Sequence, residues 1–323
     1  MSEKSLSPYD LLVVTGPTAS GKTSLAVALA DLLGGEIISA DSRQVYRGMD
    51  LGTGKDYNEY LISGRRIPFH LIDIADPGYK YNLFEYQRDF VEIYRKLREK
   101  SVFPVVCGGS GMYIDSIVKG YEIFEVPPDS GLRAKLEKKS MEELISILST
   151  YRKLHNVTDI DTKKRVIRAI EIEHFNHVAV RKQKKFPPLK PLVIGIMVDR
   201  EVRRRRISER LLERLRAGMV DEVRGLLNSG VSKETLIYYG LEYKYITLYL
   251  TGVISYETMV SELEIAIHQF AKRQMTWFRG MERKGTVIHW IDERLPIDEK
   301  VGKVLNLLQV GFQPAEELLL PDQ

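Results

Sequence analysis

Residues 13–30, VVTGPTASGKTSLAVALA, constrain this chain more tightly than any other stretch. Gly16, Gly21, Lys22 and Thr23 fit G-x-x-x-x-G-K-[ST], with an apolar run at Leu11–Val14 before them and Leu25, Leu29 and Leu32 at helical spacing after them. Strand, loop and helix in that order predict a phosphate cradle. The glycines let the backbone turn its N–H groups inward, and the helix start offers the positive end of its dipole to an anion. Gly16, Thr18, Ala19, Ser20, Gly21, Lys22 and Thr23 are the candidate phosphate contacts. Lys22 can reach terminal phosphate oxygens, and the Thr23 hydroxyl is placed to ligate Mg²⁺. The motif alone leaves open whether the ligand is ATP, another nucleotide or a different diphosphate.

Further apolar runs at 36–40, 67–74, 102–106, 192–198 and 286–290 read as strands, several with helical patterns between them. That alternation implies an α/β fold of the P-loop NTPase-like kind, a mostly parallel sheet flanked by helices. It fails between about 121 and 190, where EVPPDS and FPPLKP bracket Leu132, Leu136, Leu144 and Leu148. The expected organisation is a catalytic core made of 1–120 and 190–323, interrupted by a small all-helical insertion at 121–189. Asp199 is expected to cap a helix running toward about 228, and 255–280 reads as a second long helix. On the latter, Met259, Leu263, Ile267, Phe270 and Trp277 share one side and are expected in the core.

The formal net charge is only +4, yet 121–190 carries 15 Lys and Arg against 10 Asp and Glu. The excess suits either a solvated helical surface or a polyanion-binding face. The biased runs are short, RRRR at 203–206 and RKQKKFPPLKP from 181. The single cysteine, Cys107, excludes an internal disulfide and a cysteine-based zinc site, and suits a reducing compartment. The polar start and the absence of a run of about 20 apolar residues lead us to expect a cytoplasmic protein with no membrane partner. A monomer is expected.

P-loop motors usually end a later strand with an acid that supports Mg²⁺ and the attacking water. Here SVFPVVCGGSGMY ends in Cys107, Gly108 and Gly109, and Asp73 follows an apolar run without convincing spacing. Gly108, Gly109 and Gly111 with Ser110 read as a second anion-friendly loop, or as a simple strand-to-helix turn. Asp41 falls where the strand EIISA runs out, on the sheet edge that carries the phosphate loop. A carboxylate there can act as a general base for an incoming nucleophile, or merely cap a turn. Ser42, Arg43, Gln44 and Tyr46 add groups suited to a base or a sugar.

The segments GPTASGKT (16–23), ISADSRQVYRGMDLGTGK (38–55), GGSGMY (108–113), RVIRAIEI (165–172) and AKRQMTWFRG (271–280), in this order, resemble the tRNA dimethylallyltransferases of bacterial type. The resemblance covers about residues 10–295. It implies that the cradle holds the diphosphate of dimethylallyl diphosphate. The dimethylallyl group would pass to the exocyclic N6 amine of the adenosine 3′ of the anticodon (position 37) in tRNA, releasing diphosphate. Asp41 would take the proton from the amine, with Lys22, Thr23 and Arg210 as further catalytic groups and Mg²⁺ as cofactor. Arg206 and Arg210, four apart, would lie near the diphosphate. Asp41, Ser42, Arg43, Gln44, Ser110, Arg133, Lys164, Arg165, Arg168 and Gly240 would contact the anticodon stem-loop.

The chain departs from the family pattern in places. Leu241 and Glu242 follow Gly240 where an aromatic residue and a cation are usual, and Ile267 and His268 stand where Thr-Arg is usual. These departures fall in parts that the resemblance implies contact RNA. The alternatives are an isopentenyltransferase acting on free adenine nucleotides, which would not need a basic insertion, and a P-loop small-molecule kinase using ATP.

Overall fold

A computed structural model describes residues 7–62, 64–153, 160–178 and 186–309. The basic residues 181–185 lie outside the described residues. The described residues form two compact units, one up to Tyr121 and from Pro187 onward, the other from Glu122 to Phe186.

In the larger unit β1 (Leu11–Thr15), wholly buried, leads through the phosphate loop to α1 (Lys22–Leu33) and β2 (Gly35–Ser39). α1 stops at Gly34, whose φ of 60° lets its N–H reach back to the Ala30 and Asp31 carbonyls. A short antiparallel ribbon of β3 (Leu61–Ile62) and β4 (Arg65–Arg66) precedes β5 (Phe69–His70). The strand expected over 67–74 is cut short because Leu71 and Asp73 adopt φ values of 61° and 56°, which no strand tolerates. α2 (Leu83–Glu99) opens with an Asn82–Glu85 capping box. β6 (Phe103–Gly108) and α3 (Gly111–Val118) complete the first half.

The smaller unit contains α4 (Ser130–Leu136), α5 (Met141–Tyr151) and α6 (Lys163–Val178). Leu136, Leu144, Leu148, Val166, Ile167 and Ile170 are its core. After it the chain resumes with β7 (Pro191–Met197) and α7 (Arg200–Arg216), capped by Asp199 as expected. The single helix expected to run to about 228 is two, because Gly218 at φ 101° turns the chain before α8 (Met219–Asn228). α9 (Lys233–Tyr239), α10 (Leu241–Leu250), α11 (Tyr256–Arg283), β8 (His289–Asp292) and α12 (Ile297–Leu307) follow.

The sheet order is β5-β2-β6-β1-β7-β8, and every pairing in it is parallel. Thr15 lies opposite both Gly108 and Gly195, and Ser39 opposite Cys107. Strands β1, β2 and β6 thus end at one carboxyl edge, which gathers the loops at 16–21, 40–44 and 108–111. In open parallel sheets this edge is where ligands bind. One core cluster gathers Leu12, Val14 and Ile194 of the sheet with Leu25 and Leu29 of α1 and Val304 of α12. Among the described residues no helix is long and apolar enough to cross a membrane.

Candidate active site

A cavity of about 300 Å³ opens at this edge, lined by Thr18–Thr23, Asp41–Gln44, Gly108, Ser110, Arg210 and Gly240. Seven sequence-derived candidates, Asp41, Ser42, Arg43, Gln44, Ser110, Arg210 and Gly240, therefore share one space with the phosphate cradle. Gly16 sits just behind it, where an added Cβ would meet Ser20 Oγ at 2.8 Å and the Ile196 carbonyl at 3.2 Å. Ala19 takes a left-handed φ of 59°, and Gly21 one of 73°. α1 begins with no side-chain cap and no acid in its first turn, so its leading N–H groups stay available to an anion. Ser20 Oγ is buried without a hydrogen-bond partner, a cost that a phosphate oxygen would remove.

Asp41 serves as turn cap and cavity wall at once. Its Oδ1 accepts the Arg43 N–H at 2.9 Å, while the residue lines the cavity. Ser110 Oγ accepts the Ser42 N–H at 2.9 Å and donates to Ser42 Oγ at 3.2 Å, tying the two edge loops together. Gln44 donates to the Gly54 carbonyl and its Oε1 accepts from Ser39 Oγ. The second glycine loop is explained by close packing more than by anion binding. A Cβ at Gly108 would collide with the Ala40 backbone, one at Gly109 with Gln274 Nε2, and one at Gly111 with the Trp277 ring.

The segment DLGTGK (50–55) is also a structural device. Glu222 of α8 accepts the N–H groups of Asp50, Leu51 and Gly52 at 2.7–3.1 Å and the Tyr243 hydroxyl at 2.6 Å. Lys55, its side chain almost fully buried, pairs with Asp50 and Asp73. Tyr57 also donates to Asp73, so that carboxylate is committed to a structural cluster.

The structure redistributes several candidates. Arg206 pairs with Glu293 at 2.7 Å and does not line the cavity; its place beside Arg210 is taken by Arg214. In the smaller unit Arg133 grips the buried Glu171 with two hydrogen bonds of 2.7 Å, and Arg168 reaches the same carboxylate and the Val126 carbonyl. These guanidinium groups are occupied structurally. Arg165 pairs with Asp161, whereas Lys164 is exposed. On α11, Met259, Leu263 and Ile267 are buried as expected, but Phe270 is 41 % and Trp277 38 % exposed. Phe270 lines the cavity, so the apolar stripe continues from core into cavity wall.

Among the cavity-wall groups not put forward as site residues from the sequence are Arg214, Gln274 and Glu242. Gln274 was legible in part, at helical spacing from Ile267 and Phe270. Cys107 lies under the loop, its thiol pushed up to about 12 by burial, although Lys22 beside it pulls the other way.

A cation would find few protein ligands. Among the described residues no group of three or more His, Cys, Asp or Glu could hold a metal ion. The Thr23 hydroxyl in the cavity wall fits Mg²⁺ of the kind bound chiefly through substrate phosphates.

The chain matches the IPP transferase family model over residues 44–281 and the isopentenyl transferase model over 9–77. It is 60 % identical to tRNA dimethylallyltransferase 2 of Phocaeicola vulgatus over 300 residues, covering 93 % of this chain and 98 % of that one. To tRNA dimethylallyltransferase 1 of Parabacteroides distasonis it is 57 % identical with the same coverage. The solved tRNA isopentenylpyrophosphate transferase of Bacillus halodurans superposes with a TM-score of 0.68 at 29 % identity, covering 93 % of this chain and 97 % of that one. Taken with the cavity, these similarities make the chain a member of the tRNA dimethylallyltransferase family.

Proposed function

We infer that this chain transfers the dimethylallyl group of dimethylallyl diphosphate to N6 of the adenosine 3′ of the anticodon in tRNA, releasing diphosphate. The observation that carries the reading is the one cavity that joins an uncapped helix start and Lys22 to Asp41 at the neighbouring strand end. An anion and a nucleophile can meet there.

Loss of diphosphate from an allylic carbon builds negative charge on the leaving oxygens. Lys22, the free N–H groups of α1 and Arg210 stabilise that charge without rearranging, and one such donor is worth about 10²- to 10³-fold in rate. Mg²⁺, held by Thr23 and the phosphates, would neutralise further charge on the leaving group. The adenine amine is a poor nucleophile because its lone pair is delocalised. Asp41 Oδ1 is engaged with Arg43 N–H, which fixes the carboxylate so that the remaining oxygen can accept the amine proton. Such a base contributes about 10²- to 10⁴-fold.

The base must leave its stack to enter a walled cavity. Ser42, Arg43, Gln44, Ser110 and Gly240 around Asp41 support recognition of the extruded nucleotide. Exposed Lys164 and Arg165 of the smaller unit are the stronger candidates for phosphates of the anticodon stem-loop. Mass analysis of nucleosides from tRNA treated with the protein and donor tests the reading. A dimethylallyl mass increment on that adenosine is expected; its appearance only on free adenine nucleotides would overturn the RNA assignment.

A further inference from the structure

Three charged side chains in the cavity wall are unused in the mechanism above or used only in part. Arg210 and Arg214 stand four residues apart on α7, and Glu242 is the second residue of α10. With Thr18 and Ala19 of the phosphate loop they line one niche at the side of the cavity. Gly54, at φ 69°, lies against the Arg214 guanidinium so closely that any Cβ there would collide with it. The fold therefore leaves a slot for this side chain.

The electrostatics of the niche are incomplete as it stands. Among the described residues neither arginine closes an ion pair or a side-chain hydrogen bond. Burial and the neighbouring Arg210 hold the Arg214 guanidinium below the ordinary arginine value. Glu242 and Glu59 lie within electrostatic reach of Arg214 but do not close on it. Two like-charged guanidinium groups side by side, that of Arg214 desolvated, are costly until an anion with two charge centres arrives, and a diphosphate has two. Glu242 attracts Arg214 from the α10 side while leaving its N–H fork free for phosphate oxygens.

We propose that Arg214 is a second diphosphate-binding guanidinium beside Arg210, and that Glu242 is its positioning residue. The pair thereby sets affinity for the prenyl donor and not for RNA. This assignment rests on the prenyl-donor reading given above.

The test is steady-state kinetics of the full chain with dimethylallyl diphosphate and an anticodon stem-loop, each varied in turn, on variants whose folding is checked by thermal unfolding. Arg214→Met is expected to raise KM for the donor about 10- to 100-fold, the scale of losing a charge-assisted hydrogen bond, with KM for RNA nearly unchanged. Arg214→Lys, which keeps the charge and loses the fork, should fall between. Glu242→Gln should raise donor KM less, Glu242→Asp should recover part of the loss, and Arg214→Met/Glu242→Gln should be no worse than Arg214→Met alone. Additive losses, a rise in RNA KM in place of donor KM, or unaltered donor KM in both Arg214 variants would overturn the assignment. An inactive wild-type chain would instead count against the prenyl-transfer reading beneath it.

Discussion

Gln274 binds Thr18: its Oε1 accepts the Thr18 N–H at 2.9 Å, while its Nε2 donates to the Gly109 carbonyl at the same distance. One side-chain amide on α11 thus fixes the phosphate loop against the loop after β6. Gln274→Ala removes both bonds and leaves the Gly109 carbonyl unpaired, a loss of about 1–3 kcal/mol. Donor KM should rise about tenfold or more, as measured by initial rates, and the thermal midpoint should fall.

Asp41→Asn keeps an oxygen to cap the Arg43 N–H but cannot take a proton. The single-turnover rate should drop about 10²- to 10⁴-fold, while stem-loop binding by filter assay stays near wild type. A rate close to wild type would remove Asp41 from proton transfer.

Arg133 and Lys164 should behave in opposite ways. Arg133→Ala strips the buried Glu171 of its bidentate partner and should destabilise the smaller unit by about 1–3 kcal/mol, read by hydrogen exchange over α4 and α6. Lys164→Ala, at an exposed site, should leave stability unchanged. It should weaken RNA binding and reduce the slope of log K against log salt by about 1.

Burial keeps the Cys107 thiol protonated up to about 12, so iodoacetamide at pH 8 should label it slowly in the native chain and quickly after denaturation. Because its folded pKa lies above the unfolded one, its contribution to stability is complete below about 8.5. It is lost as pH rises toward 12, and Cys107→Ala should blunt that alkaline loss.

The phosphate loop and the position of Asp41 were legible because consecutive residues dictate them: glycines, a strand end and a helix start need no distant partner. Arg214 and Glu242 were not, and Gln274 only in part, since their roles depend on α7, α10 and α11 meeting at the sheet edge. Periodicity grouped Phe270 and Trp277 with Met259 and Leu263 correctly as one side of α11. It carries no signal for where a core ends and a cavity wall begins. Nor does a basic segment reveal which of its cations a buried acid will claim, and Glu171 claims Arg133 and Arg168. The break at Leu71 and Asp73 coincides with the Lys55–Asp73 pairing, a contact 18 residues apart that an apolar run does not announce.

The most direct measurement is a crystal structure with a non-reactive thiolo analogue of dimethylallyl diphosphate and a stem-loop RNA. Both phosphates should lie over Lys22 and the start of α1 with Arg210 alongside, and the allylic carbon between them and an adenine amine that faces Asp41. Phosphates bound away from Lys22, or an amine out of reach of Asp41, would contradict this arrangement.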